Sequence, residues 1–261
     1  MTPDHHLFAQ EHTTMDASTT TQSTHRSRLP GRIAATVVSA AAVLGPQAAG
    51  VASAAPDPSC SPVEVVFARG TNEAPGIGAT GQAFVDALNT RLGGEPVAVD
   101  PVDYPASLDF QAATGGIVDA GNKIESIAAS CPDTKIVLGG YSQGAAVAAY
   151  TTFDAVPPGL TLPAGLGPMP PSIAPHVAAV ALFGTPDNWF LNLVDHNAPP
   201  VTVGPLYSAK TIQLCAPGDP VCFPGGFDRA AHSAYKDNGM ADQAAAFTVN
   251  AVTSADAHTT D

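Results

Sequence analysis

The chain has 261 residues, with 10 Lys and Arg against 23 Asp and Glu, so its formal net charge is −13 at pH 7. Such an acidic surface argues against nucleic acid as a partner and against attraction to anionic lipids through basic patches, whereas neutral substrates remain open. With 45% hydrophobic residues, the chain can bury the core of a globular domain.

The N-terminal segment has the pattern of a secretory signal peptide. Three arginines between positions 26 and 32 precede an apolar stretch over residues 33–51, which ends in the A-x-A cleavage pattern of residues 52–54. A membrane anchor is the competing interpretation, but the stretch is alanine-rich and contains Gly45 and Pro46. We therefore expect residues 1–54 to be removed on export, with Met15 as an alternative start site.

Cleavage after Ala54 leaves enough chain for one domain with a substantial core. We place this domain at residues 55–253 and expect the polar residues 254–261 to form a flexible tail. Because the protein is exported, we expect it to be extracellular or associated with the cell envelope.

Strand and helix patterns alternate along this domain. Short apolar, β-branched runs predict strands, and apolar residues at helical spacing or a high alanine content predict helices. The predicted order is strand Val63–Ala68, helix Gly81–Leu92, strand Val97–Tyr104, helix Gly116–Ser130, strand Ile136–Leu138, helix Ala145–Tyr150, strand His176–Gly184, strand Tyr207–Cys215 and helix Met240–Val252. This alternation predicts an α/β fold, a three-layer sandwich in which helices cover both faces of a mostly parallel sheet.

A proline-rich segment, Val156–Pro175, shows neither helical nor strand periodicity. We interpret it as an ordered surface loop. Because it carries apolar residues, a flap beside a binding site is the alternative interpretation.

The strongest functional pattern is the pentapeptide from Gly140 to Gly144, GYSQG, between a predicted strand and a predicted helix. A G-x-S-x-G sequence in this setting is typical of a sharp turn that exposes a nucleophilic serine, with glycines where neighbouring elements leave no room for side chains. Ser142 is therefore the candidate nucleophile.

A serine nucleophile needs a histidine as base. Four of the eight histidines lie in the leader, and His176, His196 and His258 lie at a strand start, in a loop and in the tail. His232, in a loop after the final strand, is the position where such a fold delivers its base.

The carboxylate that orients the base is expected between the serine and the histidine in chain order. The candidates are Asp187, Asp195, Asp219 and Asp228. We favour Asp219 because it directly follows a predicted strand, although the sequence around it is also compatible with an ordinary turn.

All four cysteines lie in the exported part, at Cys60, Cys131, Cys215 and Cys222. Export favours disulfides, and the absence of metal-ligand spacing argues against zinc. Of the three ways to pair four cysteines, we favour Cys60 with Cys131 and Cys215 with Cys222, which would close a small loop around Asp219.

An oxyanion hole requires two hydrogen-bond donors. We expect one to be the backbone N–H of Gln143, directly after the nucleophile. The other should come from the loop after an early strand, where Thr71 offers its N–H and a hydroxyl. Arg69 and Asn72 are expected to brace this loop.

Together these patterns resemble the cutinase family, and in particular its actinobacterial secreted esterases. The matching pieces are FARGT at 67–71, GGYSQGA at 139–145, ALFGTP at 181–186, CAPGDPVC at 215–222 and HSAY at 232–235. The resemblance implies an α/β-hydrolase fold and the same two disulfides. It also implies Ser142 as nucleophile, His232 as base, Asp219 as its partner, and Thr71 with Gln143 as oxyanion hole.

We therefore predict a secreted serine esterase of cutinase or lipase type that hydrolyses carboxylic esters of apolar acyl chains through an acyl-enzyme. It needs no metal or cofactor, acts as a monomer on an ester or lipid substrate, and contacts lipid interfaces transiently. The alternatives are a phospholipase or thioesterase acting on envelope or host lipids, and a secreted surface protein that keeps the fold but only binds.

Overall fold

The computed structural model describes residues 60–164 and 166–257. Its strands are β1 (Val63–Ala68), β2 (Val97–Pro101), β3 (Lys135–Tyr141), β4 (Val177–Phe183) and β5 (Thr211–Leu214). Its α-helices are α1 (Gly78–Arg91), α2 (Thr114–Ser130), α3 (Gln143–Thr151), α4 (Asn188–Val194), α5 (Pro205–Ser208), α6 (Arg229–Ser233) and α7 (Met240–Ala257), and two 3-10 helices cover Phe110–Ala113 and Pro171–His176.

The five strands form one sheet in the order β2-β1-β3-β4-β5, and every neighbouring pair is parallel. Parallel neighbours require crossover connections, and these are supplied by the helices between the strands. All carboxyl ends of the strands therefore meet at one edge of the sheet, where open α/β folds build their sites.

Both faces of the sheet are covered, which explains why the central strands are apolar without alternation. In β1, Val66 packs in the core beneath α2 and α3, whereas Val65 and Phe67 pack in the core beneath α1 and α7. Helix α3 is buried along its whole length, and small residues, Gly144 and four alanines, fill five of its nine positions. The predicted three-layer α/β sandwich is confirmed.

Strand and helix boundaries differ from the predictions mainly at their ends. Strand β2 ends at Pro101 instead of continuing to Tyr104, whose buried hydroxyl turns to donate to the Arg69 carbonyl. The last strand begins at Thr211 and not at Tyr207, because Gly204 and Pro205 start the short helix α5.

Other boundaries shift outward. Helix α1 begins three residues earlier than predicted, at Gly78, and α2 two residues earlier, at Thr114. Strand β3 continues to Tyr141 and α3 begins at Gln143, so only Ser142 separates the two elements.

The last helix extends to Ala257, so the first residues assigned to a flexible tail are helical. The remaining tail residues, 258–261, lie outside the described residues, as do the predicted signal peptide and the alternative start at Met15. Within the described part of the chain, no helix is both long and apolar enough to cross a membrane.

The proline-rich segment lies mostly at the surface, as predicted, but some of its apolar residues reach the core. Its end forms the 3-10 helix Pro171–His176, Met169 and Ala174 are buried, and Leu160 and Leu162 pack against the core beneath α2 and α3. The segment therefore forms part of one wall of the domain.

Candidate active site

Ser142 occupies the turn between β3 and α3. Its φ of +56° and ψ of −120° lie where residues with a side chain are strained. The turn is held in place because the Ser142 N–H donates to the Phe183 carbonyl of β4 over 2.8 Å. This is the strained turn that the pentapeptide predicts.

The two glycines of the pentapeptide are required by close backbone contacts. A Cβ atom at Gly140 would lie 2.1 Å from the Gly144 carbonyl oxygen, and one at Gly144 would lie 2.0 Å from the carbonyl oxygen of Ala68. The first turn of α3 therefore lies directly against the end of β1. The prediction that side chains are excluded at both positions is confirmed.

The predicted base and carboxylate lie behind the serine. His232 Nε2 is 2.9 Å from Ser142 Oγ, and His232 Nδ1 is 2.8 Å from Asp219 Oδ2. The prediction that His232 lies in a loop is wrong in detail: it lies in the short helix α6, which begins because the Asp228 side chain accepts a hydrogen bond from the Ala230 N–H.

Asp219 is fully buried, and its carboxylate is hydrogen-bonded on several sides. Oδ2 faces His232 and accepts a 2.5 Å hydrogen bond from the Tyr235 hydroxyl, while Oδ1 accepts from the Val221 N–H over 2.8 Å. Burial alone would raise the pKa of the Asp219 carboxyl, but these three hydrogen bonds outweigh it and leave the pKa below its ordinary value. The carboxylate is therefore favoured in its ionised form.

Two disulfides pair the cysteines as favoured above. The bridge between Cys215 and Cys222 encloses Asp219, and the bridge between Cys60 and Cys131 joins the chain before β1 to the end of α2. Sulfur atoms that are bonded to each other are not thiolate ligands, so the close cluster of Cys215, Asp219 and Cys222 does not have the chemistry of a metal site.

The other candidate carboxylates serve local structure. Asp187 accepts from the Phe190 N–H at the start of α4, and Asp228 does the same for α6. Asp195 accepts from the Gln111 side chain over 2.5 Å. His176 lies at the amino end of β4, opposite the edge that carries Ser142.

The predicted oxyanion donors lie on adjoining elements. Gln143 is the first residue of α3, where backbone N–H groups have no acceptor within the helix, and Thr71 lies in the turn after β1. The Gln143 side chain is buried, and its Nε2 donates to the Ser107 carbonyl over 2.9 Å. Its Oε1 meets no donor among the described residues.

The loop that carries Thr71 is braced from within. Arg69 is buried and donates to the carbonyls of Glu73 (3.0 Å), Val102 (3.4 Å) and Tyr104 (2.6 Å). The Glu73 carboxylate in turn accepts from the Gly70 N–H over 2.7 Å and from the first turn of α1. The expected bracing role of Arg69 is confirmed.

Two tyrosines of the site were not assigned from the sequence. Tyr235 is fully buried, donates to Asp219 and accepts from the Ala216 N–H over 3.0 Å. Tyr141, next to the serine, donates to the backbone carbonyl of His232 over 2.6 Å. Burial is the first cause that raises the pKa of both hydroxyls, which therefore remain protonated donors. The available signal for Tyr235 is its place in the HSAY piece at 232–235, one of the pieces that carry the family resemblance.

A strained serine turn at the carboxyl edge of a parallel sheet, backed by a hydrogen-bonded histidine and aspartate, defines a protein of the α/β-hydrolase class. The Cutinase family profile matches residues 59–252. The chain belongs to the cutinase family.

Curated relatives and solved structures agree with this assignment. Probable carboxylesterase Culp5 of Mycobacterium tuberculosis is 54% identical over 164 residues, which cover 63% of this chain and 92% of the relative. Carboxylesterase Culp1 of the same bacterium is 47% identical over 220 residues, 84% of this chain and 94% of the relative. The structure of Trichoderma reesei cutinase in complex with a C11Y4 phosphonate inhibitor is similar with a TM-score of 0.54 and 34% identity, covering 74% of this chain and 77% of that one.

Proposed function

We propose that this chain is a secreted serine esterase that hydrolyses carboxylic esters of apolar acyl chains through an acyl-enzyme. The observation that carries the proposal is the continuous chain of hydrogen bonds from Ser142 Oγ through the two His232 nitrogens to Asp219, at 2.9 and 2.8 Å. Its relatives with carboxylesterase names support the same reaction class.

The proposed reaction begins with removal of the serine proton. His232 Nε2 takes the proton as Ser142 Oγ attacks the ester carbonyl carbon, and the carbonyl oxygen becomes an oxyanion. The N–H groups of Gln143 and Thr71 stabilise this oxyanion, each by about 3 kcal/mol in the transition state. When the tetrahedral intermediate collapses, His232 returns the proton to the leaving alcohol.

Water then releases the acid by the same route. His232 takes a proton from water, the hydroxide attacks the acyl carbon, and the proton returns to Ser142 Oγ. Asp219 holds the Nδ1–H tautomer of His232 throughout and stabilises the imidazolium that forms in each half-reaction. The lowered pKa of the Asp219 carboxyl keeps it anionic for this role.

The surroundings of the site support contact with a lipid or ester surface. Leu108, next to the residue that anchors the Gln143 side chain, is 73% exposed, and Phe227, between Asp219 and His232, is 87% exposed. Exposed large apolar side chains near a site favour transient binding to an apolar interface. The two disulfides support an oxidising, extracellular location.

A fluorophosphonate probe tests the proposal directly, because it reacts with serines that have an active base. We expect the purified protein to be labelled, the Ser142→Ala variant to remain unlabelled, and Ser126→Ala, on the exposed face of α2, to be labelled like the wild type. Absence of labelling in wild-type protein with normal circular dichroism would favour the binding-only alternative. Labelling of Ser142→Ala would show that another residue is the nucleophile.

A further inference from the structure

An apolar cavity lies beside the first turns of α3. It is bounded by the 3-10 helix Phe110–Ala113, by α2, α3 and α4, and by the two irregular segments that follow α3 and α4. Gln143 lines it, so the cavity begins at the residue directly after the proposed nucleophile. The residues that form its walls include Ile117, Val147, Tyr150, Leu160, Leu191 and Ala198.

We propose that this cavity receives the acyl chain of the ester substrate, and that it thereby sets the acyl-chain preference of the enzyme. The inference rests on the proposed esterase function. An acyl group bonded to Ser142 with its oxyanion on the Gln143 N–H has its carbonyl carbon beside the first turn of α3. An apolar recess next to that turn removes the methylene groups from water, each worth about 0.8 kcal/mol.

The chemistry of the walls specifies the kind of chain. The central lining is aliphatic and aromatic, and it provides no cation to receive a charged group. The charged side chain at the edge is Asp195, whose carboxylate already accepts from Gln111 Nε2 and from the Asn197 N–H. A neutral acyl chain therefore fits, whereas a chain that ends in an ionised carboxylate would face a like charge.

The wall formed by the irregular segments is held together by specific contacts. A Cβ atom at Gly159, whose φ is +93°, would lie 2.5 Å from the Asn197 carbonyl oxygen, so the two segments touch. The buried Tyr150 hydroxyl donates to the Pro199 carbonyl and fixes the second segment to α3. These contacts hold Leu160 and Ala198 in defined positions. The proline-rich segment therefore supplies one wall of the proposed acyl-binding cavity.

Filling the cavity from each wall tests the inference. We would measure kcat/KM on p-nitrophenyl esters from acetate to dodecanoate for the wild type, Leu160→Trp and Ala198→Leu. Leu166→Trp is the matched control, because it adds the same ring to the same segment outside this cavity. We expect the ratio of octanoate to acetate hydrolysis to fall about tenfold or more in both cavity variants and to stay at the wild-type value in the control.

A second measurement does not depend on how the variants fold. In a crystal structure of the wild type inhibited by an octylphosphonate at Ser142, the octyl chain should lie between Ile117, Val147 and Leu160. An octyl chain outside the cavity, or an unchanged chain-length profile in both cavity variants, would overturn the inference. If the wild type still hydrolysed p-nitrophenyl acetate in that case, the proposed esterase function would stand. If the wild type neither hydrolyses acetate nor reacts with the phosphonate, the proposed function itself is wrong.

Discussion

The two sides of Gln143 are built in different ways. On the catalytic side, Ser142, Asp219 and His232 are fixed by a strained turn, a disulfide and hydrogen bonds with buried partners. On the cavity side, α2 and α3 meet two irregular segments through apolar contacts and a few hydrogen bonds. The proposed chemistry therefore depends on parts that tolerate little change, whereas the proposed chain preference depends on parts that can be repacked.

The largest expected effect is the difference in kcat between substitutions of Asp219 and of Asp195. Asp219→Asn should lower kcat by about 10⁴-fold, because an amide no longer holds the His232 tautomer that can take the serine proton. Asp195→Asn, on the cavity side, should cost orders of magnitude less. Steady-state kinetics on p-nitrophenyl acetate measures both, and comparable losses at the two positions would contradict the assignment of Asp219.

The next contrast uses two buried glycines, one in α3 and one in α2. Gly144→Ala should destabilise the fold by more than about 4 kcal/mol, because its Cβ atom would collide with the backbone of β1. Gly121→Ala in α2 has Met169 Cγ as nearest neighbour at 3.7 Å and should stabilise the helix by about 0.5–1 kcal/mol.

Urea unfolding followed by circular dichroism measures these free energies. A wild-type urea midpoint for Gly144→Ala would contradict the tight packing of the serine turn against β1. A loss of stability in Gly121→Ala as large as that in Gly144→Ala would show that α2 is packed as tightly as the serine turn.

The smallest expected effect compares two buried tyrosines. Tyr235→Phe removes a hydrogen bond to Asp219 and leaves the Ala216 N–H without its acceptor, so kcat/KM should fall about tenfold, equally for acetate and octanoate. Tyr150→Phe removes the hydrogen bond that holds the Pro199 carbonyl. It should therefore change the ratio of octanoate to acetate kcat/KM while kcat/KM for acetate changes little. If both variants changed only the ratio, Tyr235 would not act through Asp219.

The same contrast explains what could be predicted from the sequence. Ser142 and Asp219 could be proposed because their requirements are local: a serine two residues from a glycine on each side, and an aspartate between two cysteines after a strand. His232 could be proposed by elimination, since the other histidines lie in the leader, at a strand start, in an earlier loop or in the tail. The order of strands and helices was found for a similar reason, because a sheet buried on both faces needs long apolar runs.

The parts that were missed depend on contacts between distant residues. Helices α4 and α6 are only seven and five residues long and depend on caps at Asp187 and Asp228, so they carry no helical period. The role of Tyr235 depends on its hydroxyl meeting Ala216 and Asp219, which lie 19 and 16 residues earlier in the chain. The cavity wall requires the segments around Gly159 and Asn197 to meet, and neither segment has a periodicity that predicts this.

Gln143 lies at the boundary between the serine turn and the apolar cavity. Its backbone N–H is the proposed oxyanion donor, while its side chain, anchored to Ser107, borders the proposed acyl cavity. An acyl chain in this cavity would therefore contact the residue proposed to stabilise the transition state. Binding energy from remote methylene groups can then appear in turnover as well as in substrate affinity, so a longer acyl chain should raise kcat and not merely lower KM.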